Sequence, residues 1–156
     1  MAQSIALFFH DAHQSQLLTL LDNVAERVPS SPDEWWYPAG DHHVVVYLYD
    51  DLLNELEDGD LDEILGYLDG FPSAILCIEF QASHGMATCE SAAKLAQVIL
   101  CQFKGIINDI YEQFWTSEEV CVGATKDTGS FAQSVRYPPS VEVWEATIEE
   151  LKAKRR

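Results

Sequence analysis

Alternation between two kinds of apolar patterning constrains this chain more than any other feature. Residues 5–9 (IALFF) form a continuous apolar run, the pattern of a strand buried on both faces. Leu17, Leu21, Val24 and Val28 then lie along one helical face, and residues 29–32 (PSSP) break it. Residues 44–49 (VVVYLY) return to a β-branched and aromatic strand. Leu61, Ile64, Leu65 and Leu68 sit at i, i+3, i+4 and i+7, a short helix. Asp60 with Glu63 makes a capping-box start for it, and Gly70 before Phe71 and Pro72 a stop. Residues 73–80 (SAILCIEF) are a third strand. Cys89, Ala92, Leu95, Ala96, Ile99 and Phe103 line the most amphipathic helix, which ends at Gly105. Residues 106–115 (IINDIYEQFW) read as a fourth strand, and Thr116 with Glu119 caps a turn of helix over 117–121.

The order β-α-β-α-β-α-β predicts the α/β class. The expectation is a single-domain sandwich with a roughly four-stranded, mixed or largely parallel sheet packed with helices. At 156 residues and 47% apolar, the chain suffices for one domain with its own core. Residues 1–122 make that domain. Residues 123–141 are rich in Gly, Ser, Thr and Pro and read as a linker. Residues 141–154 can form a helix with Trp144, Ile148 and Leu151 on one side, its glutamates early and its Lys/Arg cluster late, as the helix dipole prefers. Residues 123–156 are thus a linker and a C-terminal helical arm. The arm docks back on the body or on a second copy, which would make a homodimer.

Charge narrows the function. The net value is −17, and residues 1–125 hold 21 acidic side chains against three basic ones (Arg27, Lys94 and Lys104). Such a body repels nucleic acid and anionic membranes, because phosphate binding needs clustered Lys and Arg. It attracts a basic partner and speeds the encounter, besides conferring solubility. No run of 18 apolar residues suggests a membrane span, and no Lys or Arg precedes the first apolar stretch as in a signal peptide. Cys77, Cys89, Cys101 and Cys121 show no CxxC spacing. They are expected to be reduced, mostly buried thiols in a cytoplasmic protein.

Residues 6–16 (ALFFHDAHQSQ) are the first candidate for chemistry. Asp11 with Gln14 fits a helix capping box, which accounts for the stretch and leaves His13 in the first turn. A zinc site would need His10 and His13 plus a ligand from His42, His43 or His84, and no spacing demands it. Residues 50–63 hold eight carboxylates. An EF-hand aligned on Gly59 would place Leu56 and Leu65 at ligand positions, which excludes it. Cys77 beside His84 is no activated thiol, since Cys77 lies inside an apolar strand. The helix start at Ser83, His84 and Gly85 has the form of an anion site, which the negative body opposes. Glu79 ends an apolar strand and faces solvent or a partner. No nucleotide, hydrolase or metalloprotease motif occurs. No catalytic residue, metal or cofactor is therefore assigned.

Trp35 and Trp36, in a Pro- and Asp-rich loop before the second strand, cannot both enter a core easily. One caps the core, and the other suits an interface anchor. The expected partner-binding residues are Trp35 and Trp36 as anchors, with Asp50, Asp51, Glu55, Glu57, Asp58 and Asp60 as charge.

The strand SAILCIEFQ, the helix MATCESAAKLAQVILCQF and the segment GIINDIYEQFWTSEEV resemble bacterial immunity proteins of polymorphic or contact-dependent toxin systems. Gly105, Asn108, Asp109, Trp115, Thr116 and Glu119 carry the likeness, which covers roughly residues 1–122. The resemblance implies stoichiometric inhibition of a toxin domain, without cofactor or turnover. A basic toxin would suit an acidic inhibitor. Two other classes stay open: a small enzyme with a pocket built from His10, His42, His43 or His84, and an oligomeric scaffold joined through the Trp144 helix.

Overall fold

The computed structural model describes residues 2–10, 12–49, 51–81, 84–109, 113–127 and 129–136. The first apolar run lies in strand β1 (Ala2–Phe9), and the third in β5 (Ala74–Gln81). These two pair along their whole length, antiparallel, from Ala2 opposite Gln81 to Phe9 opposite Ala74. Residues 5–9 and 74–78 are apolar because both faces of the strands meet helices there, whereas Glu79, farther along β5, lies on the face left open. Ile5, Leu7, Phe9, Leu76, Ile78 and Phe80 join the larger core, and Phe8 and Ile75 join a smaller one.

The mixed or parallel four-stranded sheet is not what forms. Seven strands pair in the order β2-β3-β4-β5-β1-β6-β7, every pair antiparallel. The added strands are β2 (Glu26–Arg27), β3 (Glu34–Ala39) and a division of the expected fourth strand into β6 (Gly105–Asn108) and β7 (Phe114–Thr116). β3 and β4 (His42–Leu48) make a hairpin that turns at Gly40, whose φ of +65° an L-residue adopts poorly. Pro38 lies in β3, yet β2 pairs only with Trp35 and Trp36. The proline therefore sits beyond the reach of that outer ladder. A βα crossover does survive in part. β5 and β6 run in the same direction and are joined by helix α4 (Met86–Gln102), with β1 inserted between them.

The helices make two unequal layers. Helix α1 (Gln14–Val24) and α4 cover one sheet face, where Leu17, Leu21, Ala92, Leu95, Ala96 and Ile99 are buried with Trp35, Val44 and Val46. On the other face, α2 (Leu52–Glu55) and α3 (Asp58–Leu68) cover only one end, where Ile64 and Leu68 meet Phe8, Ile75, Ile106 and Phe114. Start signals differ from expectation. α1 begins at Gln14 with His13 at its N-cap, and the expected cap Asp11 lies outside the described residues. α3 begins two residues before Asp60, after Glu57, without a side-chain cap. Val28 lies beyond α1, buried after β2.

The Thr116–Glu119 capping box forms as expected and opens α5 (Ser117–Val122). Beyond it, part of the expected linker folds. β8 (Thr125–Lys126) and β9 (Gly129–Ser130) pair, and α6 (Phe131–Arg136) places Phe131 and Val135 in the main core against α4. The expected helix over 141–154, with Trp144, lies outside the described residues.

The thiols also depart from expectation. Cys77 and Cys89 are buried and free, but Cys101 and Cys121 are exposed and joined by a disulfide, their Cα atoms 5.9 Å apart. Cys101 lies on the outer side of the last turn of α4, where α5 packs beside it. No described helix is long and apolar enough to cross a membrane.

Candidate functional site

Residues opposite one another in neighbouring strands share a face of the sheet. On the face that α2 and α3 half cover, the register therefore lines up two rows. The first is Glu26, Trp36, Val45, Glu79 and Ser4, across β2, β3, β4, β5 and β1. The second is Glu34, Tyr47, Cys77, Ala6 and Asn108, across β3, β4, β5, β1 and β6. With strands about 4.8 Å apart, Glu26 and Glu79 stand about 14 Å apart with Trp36 and Val45 between them.

The first row stays largely open. Glu26, Trp36 and Ser4 are exposed, and Val45 and Glu79 are half-buried. Trp36 keeps 39% of its surface in solvent and stacks on His43, with ring centroids 4.5 Å apart. The Tyr47 hydroxyl donates to Glu79 Oε1 at 2.7 Å. Tyr47 packs edge-on against Tyr49 at 5.8 Å, and the Tyr49 hydroxyl donates to Glu55 of α2. Burial first, and then the Glu79 carboxylate, push the Tyr47 phenol well above its ordinary range. Tyr49 shifts the same way, chiefly through its bond to Glu55. Both tyrosines are therefore neutral donors that hold carboxylates in place. Beside Tyr47, burial pushes the Cys77 thiol up to about 11, so it is no nucleophile at neutral pH.

The expected anchors separate. Trp36 lies on the open face. Trp35 is fully buried on the opposite face, where its indole N–H donates to Asp22 at 2.8 Å and the Arg27 guanidinium lies 5.2 Å from its ring centre. Trp35 is thus the core residue of the pair and has no surface to offer as an anchor. Asp51, Glu55, Glu57, Asp58 and Asp60 are all exposed along α2 and α3. They form an acidic ridge beside the two rows, tied to them through Tyr49 and Glu55. Asp50 lies outside the described residues. Neither row contains Lys or Arg.

Val45, Tyr47, Glu26 and Glu34 were missed as site residues. One signal could have found them. The apolar run over 44–49 demands cover on both faces of its strand, and only one face receives a full helical layer.

His10 stands apart from His42, His43 and His84. His10 lies near a corner pocket of about 370 Å³ with Lys104, Asp69 and Glu118, its Nδ1 2.9 Å from the Phe71 carbonyl oxygen. A Cβ at position 70 would approach His10 Cε1 to 2.3 Å, so a larger residue there would displace the imidazole. His42, His43 and His84 gather at a separate cleft of about 130 Å³ above Glu79. The His42 and His84 rings stack at 3.9 Å and 12°, which points their in-plane lone pairs side by side and not at one ion. Among the described residues, no group of three His, Cys, Asp or Glu is placed to hold a metal ion.

The residues that carried the family likeness close the sheet's far edge. Asp109, 4% exposed, accepts from the Gln113 backbone at 3.0 Å and from the Trp115 indole at 2.7 Å. Glu119 meets Lys126 at 3.3 Å. Burial raises the Glu119 pKa, and the Thr116 N–H and Lys126 outweigh it to leave the carboxyl below its ordinary value. No family model, no curated protein and no solved structure matches the chain.

Proposed function

We propose that this chain is an acidic, non-enzymatic protein-binding module, and specifically an immunity protein that neutralises a basic bacterial toxin domain. The observation that carries the reading is the open half of the sheet. An exposed tryptophan, a valine and a tyrosine lie between carboxylates, beside an acidic ridge, with no basic residue in either row. Aromatic side chains with an apolar body and a polar tip dominate binding energy at protein interfaces. Carboxylates around them steer a cationic partner and reject an anionic one. The likeness of residues 1–122 to immunity proteins supplies the toxin.

Co-expression with the products of adjacent reading frames tests this reading. The expected result is a basic partner recovered one-to-one, toxic alone and harmless in the complex. Recovery of no such partner, together with a stoichiometric metal or small molecule, would contradict it. That outcome would favour a small enzyme, for which the gathering of His42, His43 and His84 at one cleft is the supporting observation.

A further inference from the structure

We propose that the cleft above Glu79 takes an arginine side chain of the protein partner, an assignment that rests on the protein-binding reading. Glu79 is a half-buried carboxylate on a sheet face, and no described Lys or Arg contacts it. The Tyr47 hydroxyl holds Oε1 at 2.7 Å and so fixes the direction in which the carboxylate presents itself. Flat rings border the same place. His43 is stacked on Trp36, and His42 on His84.

A guanidinium is planar, stacks on ring faces and donates in a fork that matches a carboxylate. An ammonium is a point charge and gains less from stacking. The cleft, about 130 Å³, is well below the roughly 300–1,000 Å³ of a small-molecule or cofactor site, and suits a single side-chain head. A net charge of −17 favours a cationic occupant. Glu26, about 14 Å along the same row, stands where a second basic residue of the partner would meet it.

The test uses the full chain and N-acetyl-arginine amide, followed by NMR at the Trp36 indole N–H and the His43 ring. The expected result is a saturable shift, weakened about 10-fold or more in Glu79→Gln. N-acetyl-citrulline amide, which has the same shape without the charge, should not saturate, and the lysine analogue should bind more weakly than arginine. Tyr47→Phe keeps the carboxylate but frees it, and should weaken the response by a smaller factor. Asp127→Asn, an exposed carboxylate at the β8–β9 turn away from this face, should leave it unchanged.

Absence of a saturable shift, an equal response in Glu79→Gln, or no preference for arginine over lysine would overturn the assignment. A response that appears only after removal of residues 152–156 (KAKRR) would make the chain's own tail the occupant. A dimer that Glu79→Gln dissociates would make it a second copy, and either result overturns the partner assignment. Failure here is separable from failure of the protein-binding reading. A partner that binds Glu79→Gln normally but is lost on Trp36→Ala removes the arginine site and keeps the face. A partner indifferent to both removes the face.

Discussion

Trp35 and Trp36 are adjacent in β3, and a strand turns successive side chains to opposite faces. One tryptophan therefore enters the core and the other reaches solvent. Their substitutions should have opposite signatures. Trp35→Ala should cost about 3–5 kcal/mol of stability, the range for a large aromatic lost from a core. Trp36→Ala should cost about 1 kcal/mol or less and spare the fold. Urea unfolding of the two variants decides this, and a larger loss for Trp36 would contradict the placement. At the far edge, the Trp115 indole is one of the donors to buried Asp109, beside the Gln113 backbone N–H. Trp115→Phe should keep most of the packing yet take one charge-assisted hydrogen bond from that buried carboxylate, costing about 1–3 kcal/mol. The Trp35/Trp36 pair was legible as one core and one surface residue. Which was which depends on strand register, and Pro38 had hidden the strand.

The elements legible in the sequence were those with strong local signals: β1, β5, α4 and the cap of α5. Local pattern does not reveal what an element pairs with. The strand–helix alternation implied parallel neighbours, and β1 instead inserts between β5 and β6. Cys101 and Cys121 pair across 20 positions because α5 packs beside the end of α4, a relation that no local pattern carries. Alkylation of the denatured, unreduced chain should therefore modify two of its four cysteines, and all four after reduction. Four modified before reduction would contradict the bridge.

The cap of α5 carries a pH dependence. Glu119 titrates below its ordinary value of 4.5 when folded, so its contribution is fully present above that pH. It is lost as the pH falls through the lower folded value. The stability difference between wild type and Glu119→Gln should hold constant above about pH 5 and shrink below 4.5. Growth of that difference in acid would contradict the sign. Thr116→Ala, at the same cap, should cost about 1 kcal/mol.

At the scale of the whole molecule, two helical layers of unequal extent define the candidate face. α1 and α4 fill one side of the sheet, and α2 and α3 cover one end of the other. What remains brings together Glu26, Trp36, Val45 and Glu79, residues up to 53 positions apart that only register makes neighbours. The acidic ridge was readable from residues 51–60, but not its position beside an apolar floor. Because that ridge is exposed, its attraction is screened within about 8 Å at physiological ionic strength. Association with a basic partner should therefore slow as salt is raised, with dissociation changing less.

The most direct test of the central claim is the affinity of the co-purified complex for three chains: wild type, Trp36→Ala, and Lys94→Ala on the outer surface of α4. A binding anchor at the centre of an interface costs about 2 kcal/mol or more when truncated, roughly 30-fold in affinity. That loss is expected for Trp36→Ala, with Lys94→Ala unchanged. A Trp36→Ala complex as tight as wild type would contradict it and move the binding surface off the open sheet.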